Sequence, residues 1–191
     1  AGSAVSTTDR ITAVGYNAMK ASTAIDGVAV GANAGANVVS GTANTCIGGA
    51  ALYTANGGES LNTVVGSMAL YSMDDDAADG NVALGYVAGR FYDATAASTT
   101  DDNGDGELTK AINCIYIGNA AKGAGATAGV AETVIGYNAV GNGSNTITLG
   151  NAALTALHCD ETISGLSDGR TKQNVNDNTV GLDFLEKLTT V

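Results

Sequence analysis

The sequence contains no proline and no tryptophan, and aromatic residues make up only 5% of its 191 positions. A conventional globular core is therefore not expected, because such cores depend on large apolar side chains. A collagen triple helix is excluded as well, since it requires abundant proline and glycine at every third position. Ordinary disorder is excluded because 45% of the residues are hydrophobic.

Positive charge is also scarce, with 8 Lys and Arg against 19 Asp and Glu and a net charge of −11. This balance argues against nucleic acid as a partner and against attraction to anionic membranes. No apolar run reaches the length of a membrane-spanning helix. The three cysteines, Cys46, Cys114 and Cys159, are too few and too far apart for a disulfide framework or a zinc site. We expect them to act as small buried hydrophobic residues.

Glycine (27) and alanine (33) dominate the composition, and they recur in a fixed unit. Each unit has one or two apolar or β-branched residues, then glycine, two variable residues and alanine. Several units follow an Asn-Thr pair, as at Asn44-Thr45 and Asn62-Thr63. The eight repeat glycines are Gly15, Gly31, Gly48, Gly66, Gly85, Gly118, Gly136 and Gly150. Fixed-period self-similarity of this kind is typical of repeat architectures.

The unit predicts one rung of a repetitive parallel β-roll or β-solenoid. A short β-branched segment suits a strand, the glycine allows a sharp turn, and the alanine fits where adjacent coils approach closely. We therefore predict an all-β fold of about eight short rungs over residues 1–157, with an interior of Val, Ile and Ala. One long interval between repeat glycines predicts a loop insertion at about residues 91–113.

A roll this thin buries little apolar surface in one chain. Packing the remaining apolar edge against identical chains around an axis would bury more. Composition and repeat together therefore favour self-association.

The repeats resemble those in the heads of trimeric autotransporter adhesins and the same repeat in bacteriophage tail fibres. The segment at residues 144–151, SNTITLGN, is similar to the end of such arrays in phage fibres. The resemblance implies an intertwined or side-by-side homotrimeric fibre.

Residues 167–175, SDGRTKQNV, resemble the opening of the endosialidase-type intramolecular chaperone domain. The resemblance implies that residues 158–191 are a transition into a truncated chaperone domain, with a short helical segment at residues 181–188. It also implies self-cleavage before Ser167, with Ser167 as nucleophile and Lys172 as base, chemistry that a neutral lysine can support. Taken alone, a serine and a lysine five residues apart are equally typical of a solvated loop.

The inserted segment contains an acidic loop, DDNGDGEL at residues 101–108. Asp101, Asn103 and Asp105 have the spacing of the first half of a calcium loop, and Glu107 could add a ligand. The bidentate glutamate at the twelfth position is missing, because Ile112 stands there. Two interpretations stay open, a Ca²⁺ site and a plain acidic loop, and no other cofactor is indicated.

These features predict a structural segment of a viral tail fibre or extracellular appendage, a rigid trimeric shaft for host-surface attachment. Its partners would be itself, other fibre or baseplate proteins, and a host receptor or glycan. The alternatives are a bacterial trimeric adhesin head and a protease that cleaves only its own chain. A glycan hydrolase would need carboxylates converging from strands, whereas the aspartates fall mostly in expected loops.

Overall fold

The computed structural model describes residues 10–22, 26–92 and 106–158. Regular structure in these ranges is entirely β, without a helix. The ten strands are β1 (Ile11–Val14), β2 (Gly27–Val30), β3 (Thr45–Ile47), β4 (Thr63–Val65), β5 (Val82–Leu84), β6 (Lys110–Ile112), β7 (Ile115–Ile117), β8 (Thr127–Val130), β9 (Thr133–Ile135) and β10 (Ile147–Leu149).

Eight of the strands form one parallel sheet in the order β1-β2-β3-β4-β5-β7-β9-β10. Each strand pairs with the equivalent strand of the next repeat, so that Cys46 on β3 lies beside Val64 on β4. The chain therefore coils through about seven turns between its eight rungs. This arrangement confirms the predicted all-β solenoid.

The repeat glycines lie where each rung leaves the sheet, and all eight have positive φ angles. At Gly48 φ is 132°, and the amide donates to the carbonyl of Val30 on the preceding rung at 2.8 Å. A Cβ on Gly48 would lie 2.5 Å from the carbonyl oxygen of Gly66 on the next rung. Glycine is required here by both backbone angle and rung spacing.

The second and third residues after a repeat glycine are also restricted, one in backbone conformation and the other in side-chain size. In seven of the eight repeats the second residue after glycine adopts a left-handed conformation, which asparagine tolerates well, as at Asn17 and Asn33. The third is a completely buried alanine in seven repeats: Ala18, Ala34, Ala51, Ala69, Ala88, Ala121 and Ala139. Their complete burial agrees with the prediction of a small side chain at this position.

The prediction of an interior made of Val, Ile and Ala was wrong. The fully buried larger side chains include Met19, Leu52, Leu70, Met73 and Tyr116. Side chains alternate along a strand, so the middle strand residue points inward and the aliphatic residue before the glycine points outward. The larger interior side chains come mainly from the segments between the strands.

Three buried asparagines, Asn44, Asn62 and Asn81, stack immediately before β3, β4 and β5. The Asn62 side chain donates to Asn44 Oδ1 at 3.2 Å and to the carbonyl of Ala78 at 3.0 Å. Its own Oδ1 accepts from the amide of Asn81 at 2.9 Å and from the Asn81 side chain at 3.0 Å. This asparagine ladder ends at Cys114, whose amide donates to Asn81 Oδ1 at 2.9 Å.

Beyond the ladder the interior becomes polar. Tyr116 and Glu132 are fully buried, and the tyrosine hydroxyl donates to Glu132 Oε2 at 3.1 Å. The other carboxylate oxygen accepts from the amide of Gly143 at 2.8 Å. Burial is the main cause that raises the pKa of the Tyr116 hydroxyl, so the hydroxyl stays protonated and remains a donor.

Both ends of the predicted insertion are part of the solenoid. Phe91 bridges Glu107 in antiparallel fashion, Tyr92 bridges Gly123, and β6 pairs in parallel with β8 to form a second, two-stranded sheet. The predicted loop between these contacts falls largely outside the described residues.

The chain divides into two units, Ala1–Thr155 and Ala156–Val191. The solenoid lies in the first unit. The predicted helical segment at residues 181–188 lies outside the described residues. Among the residues described, no helix is long and apolar enough to span a bilayer.

Candidate functional site

The outward face of the eight-stranded sheet carries an uninterrupted row of aliphatic side chains. Each is the last residue of its strand, directly before a repeat glycine, so parallel pairing aligns them rung by rung. We call this row the apolar strip: Val14, Val30, Ile47, Val65, Leu84, Ile117, Ile135 and Leu149. Representative members are well exposed, with 39% of Ile47 and 37% of Ile135 accessible.

A second outward row runs beside the strip, two residues earlier on each strand. It contains only threonine, valine and isoleucine: Thr12, Val28, Thr45, Thr63, Val82, Ile115, Thr133 and Ile147. No strand of this sheet contains a charged residue. With a spacing of about 4.8 Å between strands, the eight rungs make a face about 34 Å long.

Charged side chains lie outside the eight strands of this sheet. Exposed Arg10 pairs with Asp26, and Lys110 Nζ lies 3.1 Å from the carboxylate of Asp75. Exposed ion pairs of this kind contribute little to the free energy of unfolding. In a chain of net charge −11, an uncharged apolar face of this length is suited to burial against another apolar surface.

Three exposed tyrosines, Tyr16, Tyr86 and Tyr137, flank the strip immediately after their repeat glycines. Their accessible fractions are 75%, 51% and 67%. No role was predicted for these tyrosines from the sequence, although the Gly-Tyr dipeptide in three of eight repeats was the available signal. An exposed tyrosine offers an apolar ring and a polar hydroxyl to a partner.

A second aromatic cluster holds the base of the insertion. The rings of Tyr53 and Tyr71 stack with centroids 5.1 Å apart. The guanidinium of Arg90 lies 4.7 Å from the Tyr71 ring centroid and 4.6 Å from that of Phe91. Arg90 Nη2 is also 3.6 Å from Glu107 Oε1, so the outgoing and returning strands of the insertion meet at one cation.

Only one of the four predicted calcium ligands lies in the part of the chain that the structure describes. Asp101, Asn103 and Asp105 lie outside the described residues, whereas Glu107 is described and contacts Arg90. Within residues 10–22, 26–92 and 106–158, no group of three or more His, Cys, Asp or Glu side chains is placed to hold a metal ion. The Ca²⁺ site at residues 101–107 stays a prediction.

The predicted self-cleavage residues, Ser167 and Lys172, lie outside the described residues. Their assignment therefore stays a prediction from the resemblance alone.

A groove of about 560 Å³ lies at the last turn of the solenoid. Its lining includes Asn138, Asn142 and Asn151 but no titratable side chain. Two of these amides already have partners, since Asn142 donates to Thr148 Oγ1 at 2.9 Å and Asn151 donates to the carbonyl of Tyr137 at 3.0 Å. The groove offers no side chain suited to acid–base catalysis.

No protein-family model, curated protein or solved structure matches the chain. A functional assignment therefore depends on the surface chemistry of the solenoid and on the sequence resemblance.

Proposed function

We propose that the chain is a structural segment of a viral tail fibre or comparable extracellular appendage, a rigid homotrimeric shaft that contributes to host-surface attachment. The observation that carries the proposal is the apolar strip. Aligned aliphatic side chains on an uncharged sheet face support a lengthwise interface.

Self-association is supported by the nature of that face. A second copy presents the same strip at the same rung spacing, so one set of contacts can repeat along the whole shaft. The net charge of −11 opposes contact through the acidic turns and leaves the strip as the favoured contact. The number of three chains comes from the resemblance to trimeric adhesin heads and phage fibres.

Attachment is assigned to the insertion between residues 91 and 113. The Phe91–Glu107 bridge joins its two ends, and its base is fixed to the shaft by the amide of Gly123, which donates to the carbonyl of Phe91 at 3.0 Å. A loop on a rigid scaffold is the usual place for recognition. In this proposal the shaft supports the loop, and the receptor or glycan contacts it.

Sedimentation velocity of the full chain tests the shaft. We expect a trimer at micromolar concentration, and an Ile47→Asp variant that sediments as a monomer because three carboxylates cannot be buried together in an apolar interface. Val39→Asp is the matched control, since Val39 has the same 39% exposure but lies in a loop outside the strip.

A monomeric wild-type chain would contradict the proposal. Equal dissociation by Ile47→Asp and Val39→Asp would place the interface elsewhere. Far-ultraviolet circular dichroism of both variants checks that the strands are retained.

A further inference from the structure

Two Asn-Gly pairs in the described residues share an unusual environment. They are Asn56–Gly57 and Asn142–Gly143. Gly57 N donates to Glu59 Oε2 at 3.1 Å, and Gly143 N donates to Glu132 Oε1 at 2.8 Å. Both glutamates are fully buried. In each pair, a carboxylate therefore lies within hydrogen-bond reach of the glycine amide proton.

Asn-Gly is the dipeptide in which the following amide nitrogen most easily reaches the asparagine side chain, because glycine offers no Cβ to obstruct the attack. The glycine nitrogen attacks Cγ of asparagine, and a new N–C bond closes a succinimide ring. The C–NH₂ bond breaks and ammonia leaves. Water then opens the ring to give aspartate or isoaspartate.

A carboxylate that accepts the glycine N–H can serve as general base for this attack. It takes the proton as the N–C bond forms and returns it to the departing amine, so protons balance without another reactant. A distance of 2.6–3.2 Å is the range in which such transfer operates.

The two Asn-Gly pairs differ in the hydrogen bonds that their reacting side chains already make. The Asn56 side chain is exposed and makes no hydrogen bond to any described residue, whereas Asn142 donates to Thr148 Oγ1. Glu59 Oε1 is buried with no described partner, whereas both oxygens of Glu132 accept hydrogen bonds. Both differences favour reaction at Asn56.

We propose that Asn56 is a self-modification site, where Glu59 acts as general base for attack by the Gly57 nitrogen and Asn56 is converted to aspartate or isoaspartate. Asn142 is the restrained counterpart in the same chain. The reaction uses only water and these three residues.

The position of Asn56 gives the reaction a structural consequence. The carboxylate of Asp76 lies against this turn and accepts from the Gly58 amide at 3.3 Å. A new carboxylate at position 56 adds negative charge beside Asp76 and Glu59, and the succinimide step removes the Gly57 N–H that Glu59 accepts. Conversion therefore weakens the contact between the third and fourth rungs as the protein ages.

The full chain is incubated in neutral buffer, and peptide mapping by mass spectrometry then measures the conversion of each asparagine. The readout is the mass change when the side-chain amide is replaced by a carboxyl group. We expect Asn56 to convert about tenfold faster than Asn142, because Asn142 must first break its hydrogen bond to Thr148 Oγ1. Glu59→Gln keeps an acceptor for Gly57 but removes the base, and should slow conversion of Asn56 by about tenfold or more.

Glu59→Ala separates base catalysis from simple rigidity. Under the proposal it slows Asn56 conversion as Glu59→Gln does, whereas a glutamate that only holds the turn would protect it, and its removal would speed conversion. Faster or unchanged conversion in Glu59→Ala overturns the proposal.

A second readout does not depend on how well Glu59→Ala folds. The ratio of wild-type to Glu59→Gln rates should fall toward one as Glu59 becomes protonated in acidic buffer, and should equal one in the urea-unfolded chain. A ratio that stays constant with pH in the folded protein also overturns the proposal.

Discussion

The turns from β1 to β5 and those from β7 to β10 share one backbone but enclose different interiors. The earlier turns bury Met19, Leu52 and Leu70, whereas the later ones bury Lys122 and Glu132. The coil geometry does not change, because glycines, left-handed positions and small alanines recur in both regions. The contrast teaches that the repeat fixes the backbone, and that the interior is free to vary as long as its polar groups are satisfied.

The two regions satisfy their polar groups by different rules. An amide side chain both donates and accepts, so Asn44, Asn62 and Asn81 can stack identically from rung to rung. The two carboxyl oxygens of Glu132 instead accept from two different kinds of donor, the Tyr116 hydroxyl and the Gly143 amide. The first arrangement extends along the solenoid, whereas the second is confined to one place.

The largest effect is expected at the centre of the asparagine ladder. Asn62→Ala removes two donated and two accepted hydrogen bonds and leaves the buried amide of Asn81 without its acceptor. We expect a loss of about 4 kcal/mol in the free energy of unfolding, measured by urea denaturation. Asn119→Ala, at an exposed asparagine, should change it by less than about 0.5 kcal/mol. Similar losses in both variants would show that the ladder contributes no specific stability.

The shared backbone predicts equal costs in the two regions. Gly48→Ala and Gly118→Ala each place a Cβ 2.5 Å from the next repeat glycine's carbonyl oxygen at a strongly positive φ. We expect each to cost about 3 kcal/mol in the free energy of unfolding. Gly49→Ala is the control, because its Cβ would meet nothing closer than 3.8 Å. A large difference between Gly48→Ala and Gly118→Ala would contradict a common backbone rule.

A smaller effect is expected at the hydroxyl in the later interior. Tyr116→Phe keeps the ring and removes the donor to Glu132 Oε2, which should cost about 2 kcal/mol in thermal or urea unfolding. Tyr137→Phe, at a tyrosine with 67% of its surface exposed, should leave stability unchanged. No difference between the two variants would mean that the Tyr116–Glu132 hydrogen bond contributes nothing net.

Much of the backbone could be predicted from the sequence because its requirements recur. The strands, their parallel stacking, the repeat glycines and the buried alanines all follow from a unit that appears eight times. The sequence shows Asn-Thr pairs at the start of two strands, and the structure identifies their asparagines, Asn44 and Asn62, as members of the ladder. The interior was assigned wrongly because the unit gives the spacing of β-branched residues without giving the direction in which they face.

The later interior and the tyrosines beside the strip could not be predicted in the same way. Tyr116 and Glu132 occur once each and meet only because adjacent turns align residues 16 positions apart. Glu59 lies in a turn directly after two glycines, and its side chain is buried. Pairs that do not repeat leave no periodic trace in a sequence.

The smallest expected effect concerns the two buried glutamates, one in each region. Burial raises the pKa of Glu59 above its ordinary value of 4.5, and hydrogen bonds from two backbone amides partly offset this rise. The negative charges of Asp76 and Asp74 raise the pKa further. Folding therefore makes protonation of Glu59 more favourable than it is in the unfolded chain. Its stabilising contribution is complete below the ordinary pKa and is lost as pH rises through the higher pKa of the folded state.

Urea unfolding of wild type and Glu59→Gln over a pH series measures this contribution. Because glutamine does not ionise, the stability of wild type relative to Glu59→Gln should fall as pH rises through the folded pKa of Glu59 and then level off. A pH-independent difference would mean that Glu59 titrates alike in the folded and unfolded chain. That result would mean that the unpartnered Oε1 of Glu59 carries no energetic cost, so the contrast with Glu132, both of whose carboxyl oxygens accept hydrogen bonds, would have no effect on stability.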